Sequence, residues 1–383
     1  MKNSISIAKE KRHDEKRVVL LPQDLNVFFE SGFEVFVEEN AGLGVGASNE
    51  DYRNVGARIV TKREIWQNST FIAKLLCPTE EEVSLLSAGT HVSAFFYPGE
   101  HYKIIKRLNS KNTTAYSYEY FEDETGHFPM MAVDGWLSGR LALQNAAFYL
   151  QLHHGGAGLV LGGPERAKGG QVLVIGSGNV GCAAIDTALS LGANVTVAGR
   201  AEESLDRCAQ NRPEIRCVLT TEPAFATAVS EADIIIGAIL ISTYDTPPLI
   251  DETMVRTMRP GSIIVDVTCG YGVGYLPTAD KITMPGTGPY VRHGVLHYKN
   301  PRLPAMTPLS AAKNASRLYA PYLLELGSSI AAKSSERSTP ANGCIIRNGK
   351  VVHHHVQADF EMIESEAYQN YELADHILPM SNA

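Results

Sequence analysis

The sequence predicts an α/β fold, and three observations support this prediction. Short apolar runs alternate with stretches of helical periodicity, both before residue 130 and after residue 170, which is typical of βαβ units around a mostly parallel sheet. The chain has 383 residues, more than one ordinary hydrophobic core accommodates. A glycine-rich turn directly follows one apolar run and leads into a helical stretch. Together, these observations indicate two α/β domains.

Strands are predicted in two series. The first series comprises VVLLP (18–22), EVFVEE (34–39), ARIV (57–60), TFIAKLL (70–76), HVSAFFY (91–97) and TTAYSYEYF (113–121). The second series comprises QVLVIG (171–176), NVTVAG (194–199), CVLT (217–220), ADIIIGAILI (232–241) and SIIVDVT (262–268). Helical periodicity predicts long helices over 134–152 and 308–327.

Near the end of the chain, CIIRNGKVVHHH (344–355) has the pattern of a strand pair with a turn at Asn348-Gly349. Neighbouring side chains of a strand point to opposite faces, so at most two of His353, His354 and His355 could share a metal ion. No cysteine or carboxylate spacing completes such a site. We therefore expect no bound metal.

Composition and charge limit the kinds of molecule that the protein is expected to bind. The net charge is −8, from 34 basic and 42 acidic residues, which argues against a nucleic-acid-binding protein. The N-terminal segment is charged, and the longest apolar run, 232–241, is too short to span a bilayer. The six cysteines are scattered without a CxxC pair, as free thiols in a reducing compartment would be. A cytoplasmic protein that binds a small molecule, rather than nucleic acid or a membrane, is expected.

The glycine-rich turn has the spacing G-x-G-x-x-G at Gly176, Gly178 and Gly181. The first glycine permits a tight turn, the second lets the backbone approach a pyrophosphate, and the third allows close helix–strand packing. The phosphates then lie at the helix N-terminus, where free N–H groups favour negative charge. This pattern predicts a Rossmann dinucleotide-binding domain. Its predicted cofactor-binding residues are Gly176, Ser177, Gly178, Asn179, Val180, Gly181, Arg200, Ala238, Ile239 and Leu240.

The second strand of this domain ends in Gly199-Arg200, where an acidic residue commonly binds the ribose hydroxyls of NAD. Loss of the carboxylate and gain of a guanidinium favour the 2′-phosphate of NADP. NADP is therefore the predicted cofactor, with NAD as the alternative. In the second case Arg200 would stack on the adenine or contact only solvent.

Several blocks of the sequence resemble one protein family. They are AKEKRHDEKRVVLLP (8–22), ENAGLGVGASNEDY (39–52), KLLCPTEEE (74–82), GRLALQNAAFYL (139–150), GSGNVG (176–181), GAILISTYDTPPLI (237–250), MRPGSIIVDV (258–267) and HGVLHY (293–298). These blocks are similar to those of alanine dehydrogenases and of the NAD-binding component of pyridine nucleotide transhydrogenase, in a divergent form. Carboxyethyl-ornithine synthase and saccharopine dehydrogenase are more distant relatives.

The resemblance implies two Rossmann-like domains with parallel sheets. A substrate domain would comprise residues 1–132 and 306–383, and a central dinucleotide-binding domain, residues 133–305, would be inserted into it. A cleft between two such domains is a usual place for a ligand. The family resemblance also implies a homo-oligomer, either a dimer or a hexamer.

The resemblance further implies a substrate site in which Arg17 binds a carboxylate and Lys74 contacts the carboxylate or carbonyl oxygen. Both cations suit an anionic 2-oxo acid, because a guanidinium pairs with a carboxylate through two hydrogen bonds. The alternative is that both lie on the surface. The family's catalytic histidine corresponds to Tyr97 in this sequence. Tyr97 could transfer a proton, with Lys74 lowering its pKa, or it could only pack in an aromatic cluster. The predicted catalytic residues are Lys74 and Tyr97.

Three further positions depart from the family pattern. Trp136 replaces a glutamate, Gly270 replaces an aspartate that would orient ammonia, and Arg302 replaces an asparagine. An aromatic wall and an added cation suit a different substrate, such as one with an additional carboxylate. Cys269 is expected to be buried and Asp266 to be structural. The predicted substrate-binding residues are Arg17, Lys74, Trp136 and Arg302.

These features predict an NADP(H)-dependent oxidoreductase that acts on a CH–NH or CH–NH2 donor. Because the histidine and aspartate implied by the family are missing, reductive condensation of a 2-oxo acid with an amine, or imine reduction as in opine-type relatives, is expected. Three alternatives remain open. They are oxidative deamination of an amino acid, an NADP-binding sensor without turnover, and a non-redox enzyme such as a cyclodeaminase.

Overall fold

The computed structural model describes residues 3–163, 169–239, 248–268, 275–283, 286–334 and 338–364. The chain divides into two compact units: the first comprises Met1–Asp134 and Thr307–Ala383, and the second comprises Gly135–Met306. In the described residues each unit is built on one largely parallel sheet. The predicted α/β fold with two parallel sheets is confirmed.

The strands within the described ranges are β1 (Ser4–Ile7), β2 (Glu34–Glu38), β3 (Arg58–Val60), β4 (Phe71–Leu76), β5 (His91–Phe95), β6 (Thr114–Ser117), β7 (Gln171–Ile175), β8 (Asn194–Gly199), β9 (Arg216–Leu219), β10 (Ile234–Gly237), β11 (Ile263–Asp266), β12 (Tyr290–Arg292), β13 (Val295–Lys299), β14 (Cys344–Arg347) and β15 (Lys350–Val351). The α-helices in the same ranges are α1 (Asn26–Glu30), α2 (Asn49–Asn54), α3 (Lys62–Asn68), α4 (Glu80–Leu85), α5 (Tyr102–Ser110), α6 (Pro129–Tyr149), α7 (Asn179–Ser190), α8 (Glu202–Ala209), α9 (Pro223–Glu231), α10 (Glu252–Thr257), α11 (Pro308–Ala332), α12 (Thr339–Asn342) and α13 (His354–Glu364).

The two sheets differ in strand order. As far as the structure describes the chain, the first unit has eight strands in the order β15-β14-β6-β5-β4-β1-β2-β3, and the second has seven in the order β12-β13-β11-β10-β7-β8-β9. Neighbouring strands are parallel except at one edge of each sheet, where β14, β15 and β12 pair antiparallel. No helix in the described residues is long and apolar enough to cross a bilayer.

The run VVLLP (18–22) was predicted as a strand, and that prediction is wrong. Its residues are buried, but the chain bends here and enters a 3₁₀ helix at Pro22. Side chains, rather than a neighbouring strand, satisfy its backbone. Leu21 N donates to Ser316 Oγ at 2.7 Å, and Tyr52 Oη donates to the carbonyl of Leu20 at 2.8 Å. The apolar composition of this run therefore indicated that the run is buried, but it did not indicate whether the run pairs as a strand.

One interior strand of the first sheet comes instead from SISI, Ser4–Ile7, which the strand predictions did not include. β1 pairs parallel with β2 on one side and with β4 on the other. Its buried Ser6 hydroxyl is hydrogen-bonded to Ser69 Oγ at 2.6 Å, so a polar residue is tolerated inside the sheet. Two serines in four residues hide the apolar signal of this strand.

The predicted hairpin near the chain end is confirmed for its strands and turn. β14 and β15 pair antiparallel, and both Asn348 (φ +48°) and Gly349 (φ +72°) adopt left-handed conformations, as a two-residue hairpin turn requires. The histidine run, however, does not continue the strand.

β15 ends before the histidines, and His354 begins α13. The ring of His353 stacks on Tyr120 with centroids 4.1 Å apart. Burial, followed by the neighbouring His354 and His355, lowers the pKa of His353 to about 4. Within the described residues, no group of three His, Cys, Asp or Glu side chains is placed to hold a metal ion.

Candidate active site

The glycine-rich turn connects β7 to α7 in the second unit. Gly176 adopts φ +106°, and a Cβ at this position would lie 2.4 Å from the carbonyl oxygen of Ala238, so only glycine fits. A Cβ on Gly181 would lie 2.0 Å from the carbonyl oxygen of Gly176, which lets the helix approach the strand closely. A Cβ on Gly178, the residue before α7, would meet nothing within 4 Å. The turn therefore leaves open backbone at the N-terminus of α7, as a pyrophosphate requires.

Helix α6 packs against the start of α7 through two of its glycines. A Cβ on Gly139 would lie 2.1 Å from the carbonyl oxygen of Val180, and a Cβ on Gly135 would lie 3.0 Å from Asn179 Cβ. Glycines four residues apart share one face of a helix. Sequence reasoning missed this support of the nucleotide turn, although the spacing G-x-x-x-G in GWLSG was the available signal.

The end of β8 presents Arg200 to solvent. Its side chain is exposed, and no hydrogen bond or ion pair joins it to another described residue. A Cβ on Gly199 would lie 3.0 Å from Leu205 Cδ2, so an acidic side chain there would require Leu205 to shift. The strand end thus offers a guanidinium to a phosphate and lacks the carboxylate that would repel one.

The other predicted cofactor residues follow β10. Ala238 N donates to the carbonyl of Ile175 at 2.8 Å, which places it beside Gly176 at the carboxyl end of the sheet, where nucleotides bind in this fold. Ile239 Cγ2 lies close enough to Gly176 that a Cβ there would meet it at 2.8 Å. Leu240 lies outside the described residues.

The strand end at β11 carries a buried, satisfied carboxylate. Asp266 Oδ1 accepts hydrogen bonds from Thr268 Oγ1 at 2.6 Å and from Tyr275 Oη at 3.0 Å. Lys299 Nζ lies 3.5 Å from Asp266 Oδ2. These bonds support the structural role expected for Asp266. Gly270 and Cys269, which follow it, lie outside the described residues.

Replacing Gly181 by alanine tests whether the glycine-rich turn requires close packing at this position. The added methyl group would overlap the carbonyl of Gly176, so we expect a loss of about 1–3 kcal/mol in unfolding free energy together with loss of measurable NADPH binding. Calorimetric titration and thermal melting check this. Gly178→Ala is the matched control: its Cβ would meet nothing within 4 Å, so its melting temperature should stay that of the wild type. A Gly181→Ala variant as stable as Gly178→Ala would contradict the packing argument.

In the first unit, Arg17 is buried and paired with two carboxylates. Its Nε donates to Glu15 Oε1 at 2.8 Å and its Nη2 to Glu15 Oε2 at 2.7 Å, while Nη1 reaches Asp134 at 3.1 and 3.2 Å. Burial opposes the charged form, but Asp134 and Glu15 outweigh it and hold the pKa of Arg17 above its ordinary value. The guanidinium therefore stays charged, with most of its N–H donors directed at these carboxylates.

Lys74 lies on β4, whose six residues are all buried. Its Nζ lies 2.9 Å from Glu82 Oε2 and 3.6 Å from Glu10 Oε2. Glu82 is fixed in turn because its Oε2 accepts a 2.7 Å hydrogen bond from the backbone N–H of Thr79, in the capping box of α4. Burial tends to lower the pKa of Lys74, yet Glu10 and Glu82 raise it above its ordinary value.

The two cations are thus outnumbered by the carboxylates that contact them. The sequence predicts two cations facing an anionic substrate, whereas in the structure each cation already has two carboxylate partners. The missed partners are Glu10, Glu15, Glu82 and Asp134. Two signals for them were present in the sequence: Glu15 stands two residues before Arg17, and Glu82 completes a T-x-x-E capping box.

The buried carboxyl of Glu10 predicts a pH-dependent stability. Burial raises its pKa from 4.5 to about 7, against the attraction of Lys74. Between about pH 4.5 and about pH 7 the folded state therefore binds more protons than the unfolded state, so the free energy of unfolding falls as pH rises. The shift corresponds to about 3 kcal/mol. We expect Glu10→Gln to remove this component, measured by urea unfolding at about pH 5 and about pH 8.

The control for Glu10→Gln is Glu50→Gln, which neutralises an exposed glutamate on α2 and should leave the pH dependence unchanged. If the difference in unfolding free energy between wild type and Glu10→Gln is the same at both pH values, Glu10 does not change protonation in this range.

Tyr97 has an unusual backbone conformation. Its φ is +43°, a left-handed value that is an outlier for a bulky residue and is concentrated at functional sites. Its ring is half-buried and stacks on Phe95 with centroids 6.0 Å apart, and its backbone N–H donates to Glu119. Burial raises the pKa of the Glu119 carboxyl. Tyr97 therefore packs against an aromatic neighbour, and this packing is compatible with a role in proton transfer. The role in proton transfer stays a prediction.

The predicted substrate residues are divided between the units. Arg17, Lys74 and Tyr97 lie in the first unit, and Trp136 and Arg302 lie in the second. Trp136 is 43% exposed on α6, and a guanidinium four residues later in the helix lies 4.3 Å from its ring centroid. Arg302 follows β13, and its backbone N–H donates to Asn300 Oδ1 at 2.9 Å. Their roles in binding stay predictions.

Comparison with known proteins identifies the family. Residues 6–134 match the family model described as alanine dehydrogenase/PNT, N-terminal domain, and residues 142–354 match the alanine dehydrogenase/PNT C-terminal domain. Alanine dehydrogenase of Bacillus subtilis is 32% identical over 370 residues, covering 94% of this chain and 96% of the relative. A solved L-alanine dehydrogenase superimposes with a TM-score of 0.84 at 29% identity, covering 94% of this chain and 99% of the other.

A second solved structure extends the comparison at the level of the fold. A transhydrogenase from Sinorhizobium meliloti has a TM-score of 0.75 at 22% identity, covering 91% of this chain and all of the other. With both family models matched along most of its length, this chain belongs to the alanine dehydrogenase and pyridine nucleotide transhydrogenase family.

Proposed function

We propose that the protein is an NADP(H)-dependent oxidoreductase that reduces the imine formed when a 2-oxo acid condenses with an amine. Its family makes it an oxidoreductase of CH–NH or CH–NH2 donors that uses a nicotinamide dinucleotide. The substrate class and the preference for NADP are the added claims. When bound, the nicotinamide supplies or accepts the hydride.

The observation that carries the substrate claim is the surplus of carboxylates around Arg17 and Lys74. Glu15 and Asp134 contact Arg17, and Glu10 and Glu82 contact Lys74. Burial raises the pKa of Glu10 to about 7, so this carboxyl adds only part of a charge near neutral pH, but the carboxylates still outnumber the cations. In a poorly solvated site this surplus favours a substrate that carries a cationic amine in addition to its carboxylate. An amine, protonated near neutral pH, is therefore a better partner for this unit than a 2-oxo acid alone.

Within this proposal each residue has a role. Arg17 and Lys74 hold the carboxylate of the substrate through the N–H donors that their carboxylate partners leave over, and Tyr97 assists proton transfer. Trp136 and Arg302 set specificity, with Arg302 able to accept an additional carboxylate. The proposal includes assembly into a homo-oligomer, which sedimentation would test.

The preference for NADP is supported by the end of β8. Arg200 is exposed, and Gly199 has too little space for a carboxylate side chain unless Leu205 moves. Both features suit a 2′-phosphate better than a free ribose hydroxyl. NAD is the alternative.

A second candidate is the oxidative deamination of an amino acid with release of ammonia. The observation that favours it is the 32% identity, over nearly the full length of both chains, to a protein named alanine dehydrogenase. It differs from the first candidate in the nitrogen compound, since it releases ammonia and its reverse consumes ammonia rather than a larger amine.

Oxidation of NADPH and NADH, followed at 340 nm, separates these candidates. Pyruvate, glyoxylate and 2-oxoglutarate are each supplied with ammonia and then with a panel of amines and amino acids. We expect turnover with an amine or amino acid and with NADPH. Turnover with ammonia alone would support deamination chemistry. Tight NADPH binding with no turnover across the panel would favour a sensor or a cyclodeaminase instead.

A further inference from the structure

The backbone at Tyr97 is bound by the carboxylate of Glu119, which follows the neighbouring strand β6. β5 ends at Phe95, so the next two backbone N–H groups lie beyond the strand. Phe96 N donates to Glu119 Oε2 at 3.2 Å, and Tyr97 N donates to Glu119 Oε1. Two successive N–H groups therefore converge on one anion, which is the arrangement of a backbone nest.

The local sequence does not favour the conformation that Tyr97 adopts. Its φ of +43° is uncommon for a bulky side chain, and the following Pro98 favours an extended conformation of the residue before it. The carbonyl of Tyr97 accepts hydrogen bonds from the N–H groups of Glu100 at 2.8 Å and His101 at 3.1 Å. Contacts on both sides of the residue therefore maintain this conformation, and Glu119 supplies the contact at the N–H group.

Glu119 is itself held in place by ordered neighbours. It lies in a short 3₁₀ helix directly after β6. Ser117 Oγ donates to Glu119 Oε2, and Ser117 N donates to the carbonyl of Gly343 at 2.7 Å. The adjacent Tyr118 is fully buried, and its hydroxyl lies 2.9 Å from Ser93 Oγ. These contacts direct the carboxylate at the end of β5.

We propose that Glu119 is a positioning residue for the proton transfer that the proposed function assigns to Tyr97, and its role therefore rests on that function. By accepting the two N–H groups, Glu119 fixes the direction in which the Tyr97 side chain leaves the end of β5, and with it the place of the phenol hydroxyl. A proton passes only between groups within hydrogen-bonding reach, and a misplacement of about 1 Å can lower a rate by about 100-fold. Glu119 acts through Tyr97 and not on the substrate.

Glu119→Gln tests this role with little change of shape. Glutamine keeps one carbonyl oxygen, but its amide nitrogen is a donor, so one of the two backbone N–H groups loses its acceptor. In the 340 nm assay with 2-oxo acid and amine pairs, we expect kcat to fall about tenfold, as for one lost hydrogen bond. The KM for the 2-oxo acid should stay unchanged. Glu122→Gln, which neutralises an exposed glutamate three residues later, is the matched control and should keep the wild-type kcat.

A double-mutant cycle separates the positioning role from a merely structural one. Tyr97→Phe removes the hydroxyl, and we expect it to lower kcat by about 100-fold. Because Glu119 acts through that hydroxyl, Glu119→Gln should cost nothing further in the Tyr97→Phe background, so the double variant should have the kcat of Tyr97→Phe. Losses that multiply to about 1,000-fold, or a raised KM with kcat unchanged in Glu119→Gln, would overturn the proposal.

Crystal structures of the wild type and of Glu119→Gln give a readout that needs no turnover. We expect a positive φ at Tyr97 in the wild type and an extended, negative φ in the variant. A positive φ retained in the variant would overturn the proposal. Should Glu119→Gln not fold, Ser117→Ala, which removes the hydroxyl donor to Glu119, replaces it, with an expected fall in kcat of about threefold.

The failure of the proposed function has a different signature. If the wild type turns over none of the supplied pairs, that function fails, while the two crystal structures still decide whether Glu119 fixes the conformation of Tyr97. If the wild type turns over and Tyr97→Phe keeps its kcat, Tyr97 transfers no proton, and the positioning role of Glu119 is overturned with it.

Discussion

Replacing Arg200 by aspartate is expected to weaken NADPH binding by about 100-fold, because a charge-assisted contact to the 2′-phosphate is lost and a repelling carboxylate is gained. NADH binding should stay the same or improve, since the new carboxylate can accept hydrogen bonds from the free ribose hydroxyls. Arg200 is exposed and has no described partner in the protein, so the substitution should cost little stability. Calorimetric titration with each dinucleotide measures the change.

The matched control is Arg256→Asp, which makes the same change of charge on α10, where Arg256 pairs with the exposed Glu252. Its ratio of NADPH to NADH affinity should be that of the wild type. If Arg200→Asp and the wild type have the same ratio of NADPH to NADH affinity, Arg200 contacts solvent or the adenine and does not bind the 2′-phosphate.

The fold could be predicted to the extent that local pattern determines pairing. Runs such as those of β4 and β7 are apolar enough to be buried on both faces of a parallel sheet, and they form strands as predicted. The strand prediction that failed has a different cause: contacts with residues distant in sequence. VVLLP is equally apolar, but its backbone is satisfied by the distant side chains of Tyr52 and Ser316, and no local pattern reports such contacts.

In the candidate site, too, some features could be predicted from local sequence and others could not. The nucleotide turn is a contiguous motif, so its glycines could be assigned roles from spacing alone. The charge state around Arg17 and Lys74 could not, because it depends on Asp134, 117 residues from Arg17 in sequence, and on Glu10, which the fold brings to β4. A family motif locates the cations, whereas only the folded chain shows what neutralises them.

Replacing Lys74 by methionine, a neutral side chain of similar length, is expected to lower the free energy of unfolding by about 3–5 kcal/mol, because Glu82 and Glu10 are left buried without their shared cation. The same variant should lose turnover if Lys74 contacts the substrate. Chemical denaturation and the assay at 340 nm report the two effects. Lys62→Met is the surface control: Lys62 pairs with the exposed Glu81, so its loss should cost about 1 kcal/mol or less.

The double variant Lys74→Met with Glu82→Gln separates structure from substrate binding. Neutralising Glu82 removes one uncompensated charge, so part of the lost stability should return. Turnover should not return if Lys74 has its proposed role, because the cation that would hold the substrate carboxylate is still missing. If the double variant recovers stability and turnover together, Lys74 serves only to neutralise its carboxylate partners, and the substrate carboxylate must be held by other residues.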